Sequence, residues 1–521
     1  MNVADLNAPS NPSSLDSQSV MQALQAIDAL SEGLKQTVRN AAERGDSFDS
    51  VERNVRDSAL EMGRQSVELF LLLQGKGDLG SQITTAEGQT LRRSESPTKT
   101  TIRSIFGVHM FEQFTYAPGA KQAVQLRPIS ARISLPARQW SFLLQELSQL
   151  LAVDSAYEQA MDNLGQILGS TFSVDTAERV NAELGQSAGE FLGDLPKPEP
   201  GSEAKLLVAS ADCKGVPLVK EDAPKVAAFE TAKKNPGNRR MATVASVYTV
   251  DPHQRTAEDV VEALFREEAE PSTSKPKRPR PQNKNTTAHF PETADDGEGG
   301  QVAISGIHVA MAWILGQVDV RRRPGQVLIA LMDGQESLWD TMQLHLSFSA
   351  RTVPILDILH ALSYIWEAAG LFEKTETKRK AFTRARLLRI LRGEVRGVIR
   401  GLRRLGSTKR LTGQAAKDLR RICGYLENNA QRMRYDEYLR RGYPIASGVI
   451  EGACRHLVKD RMERSGMRWT LEGARSMLHV RAAQQSDHWR AFLDHRIANE
   501  VARAHPNRDL VKGYQPLTLA C

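Results

Sequence analysis

Gln326–Met332, QVLIALM, is a nearly unbroken apolar run of strand length that stops at Asp333-Gly334. A strand buried on both faces reads this way, and such strands occur where helices cover a sheet above and below. This run therefore calls for neighbouring strands and two helical layers, and the chain offers both. Leu206–Leu218 sets Leu206, Val208, Ser210 and Asp212 on one face by two-residue alternation. Arg240–Val250 and Thr352–Leu356 also read as strands. Helical spacing runs through Ala257–Glu268, through Val302–Gln317 and after Asp333, and the chain from Asp357 onward reads as helix. The order strand, strand, helix, helix, strand, helix, strand, then helices predicts a mixed α/β fold.

At 521 residues the chain exceeds one ordinary core. Residues 1–20, rich in Ser, Asn and Pro, predict a disordered tail. Residues 21–195 predict a mainly helical N-terminal region: helix over Val20–Gly75, a small β element over Ile102–Tyr116 and Val124–Leu135, and helix again over Ala137–Leu192. Three prolines in Leu195–Glu203 suggest a linker. The α/β core is expected over 204–370. Within it, 271–300 runs from basic KPKRPRPQNK to acidic ETADDGEGG and predicts a flexible insertion. Residues 371–443 read as a basic helical insertion, 444–500 as a C-terminal helical region and 501–521 as a tail.

Several classes are disfavoured. No apolar run approaches the roughly 18–20 residues that span a bilayer, and the N-terminus lacks the basic and apolar regions of a signal peptide. A cytoplasmic protein without a membrane partner is expected. Cys213, Cys423, Cys454 and Cys521 form no C-x-x-C pair, which argues against a zinc ribbon or a disulfide framework. Charge is unevenly spread. Between Leu371 and Tyr443 stand 21 Lys and Arg against 7 Asp and Glu, an excess of fourteen in a chain whose net charge is +7, so the remainder carries −7. Such a segment is either a solvated helical face or the footprint of a polyanion partner.

Three acids stand out by position. Asp212 lies inside a strand, where a charge is costly unless it is paired or holds a metal. Asp333 ends the buried apolar strand, and ligand sites of open α/β sheets gather at such carboxyl ends. Glu451 begins a helical stretch with few other acids. Three hard oxygen donors suit Mg²⁺ or Mn²⁺, and two such ions can serve phosphodiester chemistry. Each acid also has an ordinary reading: a turn at Asp212, a turn or helix N-cap at Asp333, and a first-turn acid favoured by the helix dipole at Glu451.

The stretch from Tyr425 to Trp489 carries RMRYDEY, G-x-P-I-x-S-G-V-x-E-G-A and LVKDRMERSGMRW. It closely resembles the C-terminal signature of the ISKra family of bacterial insertion-sequence transposases. Upstream, S-A-D-x-K-G-V-P, L-x-D-G and LDILHALSYIWEAA are similar to earlier blocks of the same family, and the resemblance spans roughly residues 100–495. It implies a ribonuclease-H-like mixed sheet with a helical insertion, and a catalytic triad that falls by motif position on Asp212, Asp333 and Glu451. It implies two Mg²⁺ or Mn²⁺ ions, double-stranded DNA as partner and a homo-oligomer on that DNA, with residues 21–195 as the candidate reader of the DNA ends. Asp357 and His360 look like an Asp-x-x-His motif of related transposases. Three residues apart, they share a helix face, and a positioning role is expected rather than direct metal binding. Arg432, Arg434, Arg455, Lys459, Arg461, Arg464 and Arg468 are candidates for phosphate contacts, with pairing to Asp436, Glu437, Asp460 and Glu463 as the alternative. Trp469 reads as a packed aromatic ahead of a base-stacking one, and Asp460 is the rival to Glu451. One departure is Cys213, where the family's block has Gly; a side chain there is expected to strain the strand or impair activity. The implied activity is DNA cleavage and strand transfer at the ends of an insertion sequence. The alternatives are a nuclease that cuts without joining and a decayed or domesticated DNA-binding protein.

Overall fold

The computed structural model describes residues 14–199, 201–227, 237–265, 278–295, 297, 299–347 and 351–517. The chain forms two compact units, residues 1–180 with 493–521, and residues 181–492. Among the described residues no helix is long and apolar enough to cross a membrane.

The smaller unit opens with two long helices, Ser14–Arg44 and Phe48–Leu73, the second capped by the Ser47 side chain accepting from the Ser50 N–H. The first begins inside the segment expected to be disordered; residues 1–13 lie outside the described residues. The strand expected over Ile102–Tyr116 is a hairpin, Thr98–Ser104 against Gly107–Gln113. Val124–Leu135 is not a β element: Pro128–Arg132 is a short helix, entered through proline. The buried Gln113 Oε1 accepts from the Ile129 and Ser130 N–H groups, each at 3.1 Å, and so satisfies donors that a helix start leaves open. Of the expected C-terminal tail 501–521, the described residues to 517 are structured and belong to this unit. Val511 packs with Leu91, Tyr116 and Leu126, and the Leu517 N–H donates to Leu73 O at 2.8 Å.

The larger unit is a mixed α/β structure. Its strands are β1 (Leu206–Pro217), β2 (Arg239–Val250), β3 (Gln282–His289), β4 (Leu328–Met332) and β5 (Thr352–Leu356), in the order β5-β4-β1-β2-β3. β4 runs parallel to β1 and β5, while β1–β2 and β2–β3 are antiparallel. All five residues of β4 are fully buried, as their composition requires. One face, carrying Leu206, Val208, Ile329, Leu331, Val353 and Ile355, joins a single hydrophobic cluster with Phe382, Leu387, Leu402, Ile422, Tyr435 and Tyr438. The basic segment 371–443 thus shares the core of the sheet rather than forming an appendage. On the opposite side, helix α1 (Gly306–Arg321) packs on β2 and β3, and α5 (Leu471–Gln485) on β3; between them in sequence lie α2 (Glu336–Leu346), α3 (Ile358–Phe372) and α4 (Gly448–Ala453).

β3 corrects an expectation, because it falls inside the supposed flexible insertion 271–300. Its sequence, QNKNTTAH, is polar, yet Asn285, Thr286 and Thr287 are buried. Polar partners replace apolar contacts there. Asn285 Nδ2 donates to Gln317 Oε1 at 2.7 Å, His488 Nε2 lies 2.8 Å from Asn285 Oδ1, and the Thr286 N–H donates to Ser486 Oγ at 2.9 Å. Of the rest of the segment, 271–277, 296 and 298 lie outside the described residues. Asn285→Ala should destabilise the larger unit by about 1–3 kcal/mol, because it strands a buried amide oxygen on Gln317. Denaturant unfolding checks this, and an unchanged midpoint would count against the network.

Candidate metal centre at the sheet edge

Strand register brings the first acids together. Ala330 pairs with Ala209, so three residues further on Asp333 comes opposite Asp212; Met332 pairs with Leu356, so Asp333 is also next to Asp357. Alternation puts all three on the face that bears Val208, Leu331 and Ile355. Three aspartates thus form a row across adjacent parallel strands spaced about 4.8 Å apart.

Each carboxylate is tied locally. Asp212 Oδ1 accepts from the Cys213 N–H at 2.7 Å, and the buried Cys454 thiol donates to Oδ2 at 3.3 Å. Asp333 Oδ1 accepts from the Gln335 N–H at 2.9 Å. This is a turn just ahead of α2, whose N-cap is Gln335 rather than Asp333. The Trp339 indole N–H donates to Asp333 O at 2.5 Å. A Cβ at Gly334 would collide with the Tyr425 ring, so glycine lets that ring lie against the backbone beside Asp333. Asp357 is fully buried and caps α3, accepting from the Leu359 N–H at 2.8 Å, while the Ser447 hydroxyl donates to its other oxygen.

That last bond positions Glu451. The Ile358 N–H donates to Ile445 O at 2.9 Å and the Tyr435 hydroxyl to Leu356 O at 2.8 Å, which fasten the later segment to the end of β5. α4 starts after Ser447, and the Glu451 N–H donates to Ser447 O at 3.1 Å, one turn on. The carboxylates of Asp357 and Glu451 and the ring of His360 offer ligand atoms that all lie within 4.8 Å of one another. Asp357 and His360, expected in a positioning role, thus lie in the same group as Glu451. The expected trio Asp212, Asp333 and Glu451 does not form such a tight group among the described residues. Its members face one another electrostatically: Asp212 acts on both Asp333 and Glu451.

Burial and neighbouring charge raise Asp333, Asp357 and Glu451. Asp333 is pushed above the usual carboxylate range first by burial and then by Asp212, with Asp357 adding to it. Burial likewise raises Asp357 against the pull of the Ser447 hydrogen bond. Glu451 faces solvent, yet partial burial of its carboxyl and the nearby Asp357 and Asp212 raise it too. Cys213 causes no backbone strain: it pairs with Thr243 in the β1–β2 ladder and has no positive φ, and burial lifts its thiol to about 11.

After α4 the backbone widens into a π-helix, Cys454–Lys459. Buried Arg481 donates to the carbonyls of His456 and Leu457, groups left poorly satisfied by the wide turn. The basic candidates divide. Arg461 is fully buried with its guanidinium 4.7 Å from the Trp469 ring centroid, so it is no phosphate ligand, and Trp469 is the packed aromatic expected. Arg432 is half-buried, 4.4 Å over Trp339, and donates to Asn429. Arg434, Arg455, Lys459, Arg464 and Arg468 are exposed. Arg434 pairs with Glu437 at 3.1 Å and Arg455 reaches Asp460 at 3.8 Å. Arg464 and Arg468 do not share a helix, because Gly466 in the left-handed region ends the turn between them. An open cleft of ≈550 Å³ is lined by Arg389, Arg396, Arg400 and Arg434 together with Glu394, which pairs with Arg389 at 2.7 Å, and Asp436.

The sequence reading missed Ser447, Cys454, Trp339 and Tyr425. Ser447 stands in the quoted S-G-V-x-E block and was within reach; the others are visible only once the strands are aligned. No protein-family model matches the chain, and no curated protein matches it.

In folded protein the raised acids are more stable protonated, so their ionisation removes stability as pH rises through the raised values. Asp333→Asn should therefore raise the melting temperature in EDTA at pH 7.5, and the gain should shrink as the pH is lowered and the raised wild-type carboxyl takes up its proton. A lower melting temperature at pH 7.5 would contradict the placement.

Proposed function

We propose that the chain is a metal-dependent DNA strand-transfer enzyme of the transposase type, resembling the ISKra family and built on a ribonuclease-H-like core. The observation that carries the reading is the row of aspartates across three parallel strands, Asp212 inside β1 and Asp333 and Asp357 just past the ends of β4 and β5, with Glu451 held one turn beyond Ser447. The sheet supports the fold assignment: three antiparallel strands continue into a parallel pair, the arrangement such a core calls for.

Asp212, Asp333 and Glu451 are the proposed ligands of two Mg²⁺ or Mn²⁺ ions, since all three present hard oxygen donors. Bound there, such ions supply an activated oxygen nucleophile and stabilise charge on a leaving 3′ oxygen. The chain's own residues hold the substrate. Exposed Arg455, Lys459, Arg464 and Arg468 follow Glu451 in sequence and are placed to contact phosphates near the cut strand, while the arginine cleft takes duplex further away. Trp339 and the Gln335 N–H fix Asp333, and the Cys454 thiol fixes Asp212. Double-stranded DNA is the proposed partner, bound by a homo-oligomer.

The test is a labelled duplex carrying the DNA that flanks the gene, incubated with protein and Mg²⁺ or Mn²⁺. Cleavage and joining should vanish with EDTA. Asp333→Asn, which is expected to be the more stable protein, should lower cleavage by about 100-fold or more while keeping DNA affinity. Cleavage without joining would make the chain a nuclease, and binding without cleavage a DNA-binding protein; either result overturns strand transfer. Arg396→Gln with Arg400→Gln should flatten the slope of log K against log salt by about 2, roughly 1 for each phosphate no longer neutralised. An unchanged slope would place the duplex elsewhere.

A further inference from the structure

The donors at the sheet edge fall into two chemically different sets. Asp212 and Asp333 offer only oxygen. Asp357, His360 and Glu451 add an imidazole, and their ligand atoms are the ones that converge within 4.8 Å. Donors around one ion with bonds near 2.1 Å sit about 3–4 Å apart, so a small rotation of the exposed Glu451 side chain closes the set. Asp357 keeps coordinating capacity, because each oxygen accepts one hydrogen bond and a carboxylate oxygen has two lone-pair directions. Those same two bonds hold it rigid, as the partners of a ligating carboxylate do. His360 sits on the first turn of α3, and among the described residues neither of its ring nitrogens has a hydrogen-bond partner.

We infer that Asp357, His360 and Glu451 form a nitrogen-containing cation subsite beside the all-oxygen pair Asp212–Asp333, with Glu451 shared between them. Imidazole favours later transition ions such as Co²⁺ or Zn²⁺, whereas Mg²⁺ takes oxygen. The two positions therefore differ in metal preference: the His360 subsite takes a transition divalent ion, and the aspartate pair takes Mg²⁺. Three protein ligands leave an open coordination position for solvent or a phosphate oxygen. The inference deepens the metal-dependent reading above and rests on it only in placing cations at this sheet edge.

The experiment uses the full chain, stripped of metal and free of DNA. Calorimetric titration with Co²⁺ should show one site that His360→Gln weakens at least about tenfold, with Mg²⁺ affinity unchanged. Asp212→Asn with Asp333→Asn should do the reverse. Electron-spin-echo spectroscopy of wild-type protein given one equivalent of Cu²⁺, an imidazole-favouring ion, with Mg²⁺ in excess, should show coupling to the nitrogen of a bound imidazole that His360→Gln removes. Equal Co²⁺ affinity in wild type and His360→Gln, or no nitrogen coupling, would overturn the subsite. Protein that cuts DNA with Mg²⁺ yet shows no nitrogen coupling sinks this inference alone. Protein that shows the coupling yet cuts no DNA sinks the strand-transfer reading alone.

Discussion

The structure turns on the parallel pairing of β4 with its two neighbours. That pairing fixes which residues stand side by side where β4 and β5 end, and it stacks three carboxylates in one row with Asp212 inside β1. A slip of one residue in either ladder would turn a carboxylate to the opposite face. The fully buried β4 makes such a slip costly, because it would exchange a filled core position for a charge. Register here is a chemical specification as much as a structural one.

Around that row the rest of the unit supplies attachment. Ser447 links Asp357 to the start of α4, Tyr435 and Ile445 link the same segment to β5 and α3, and Arg481 holds the carbonyls of the wide helix that follows. Each bond joins residues far apart in sequence, so the geometry of Glu451 depends on several elements being in place at once. Burial and the neighbouring acids make the ionised forms of Asp333, Asp357 and Glu451 costly.

Much of this was legible in the sequence because it rests on local pattern. The run QVLIALM specified a buried strand, alternation in Leu206–Leu218 gave the face of Asp212, and Thr352–Leu356 was read at its bounds. What escaped was non-local. β3 has no apolar signal, because its buried Asn and Thr side chains are satisfied by Gln317, Ser486 and His488, residues that no local window connects to it. Arg461 looked like one more surface cation, yet it packs against Trp469 eight residues on. The convergence of His360 with Glu451 needed α3 and α4 to be fastened through Ser447, which spacing alone does not express.

The two units are nested in the chain: the smaller one begins before the larger and resumes after it. Val511 completes a cluster whose other members, Leu91, Tyr116 and Leu126, emerge some four hundred residues earlier, and Tyr514 caps a turn at Gln74 and Gly77. During synthesis that cluster stays open until Val511 has been made, by which time all five strands of the sheet have already been made. A chain cut short before Val511 would carry all the strands of the sheet while the smaller unit still lacked a member of its core.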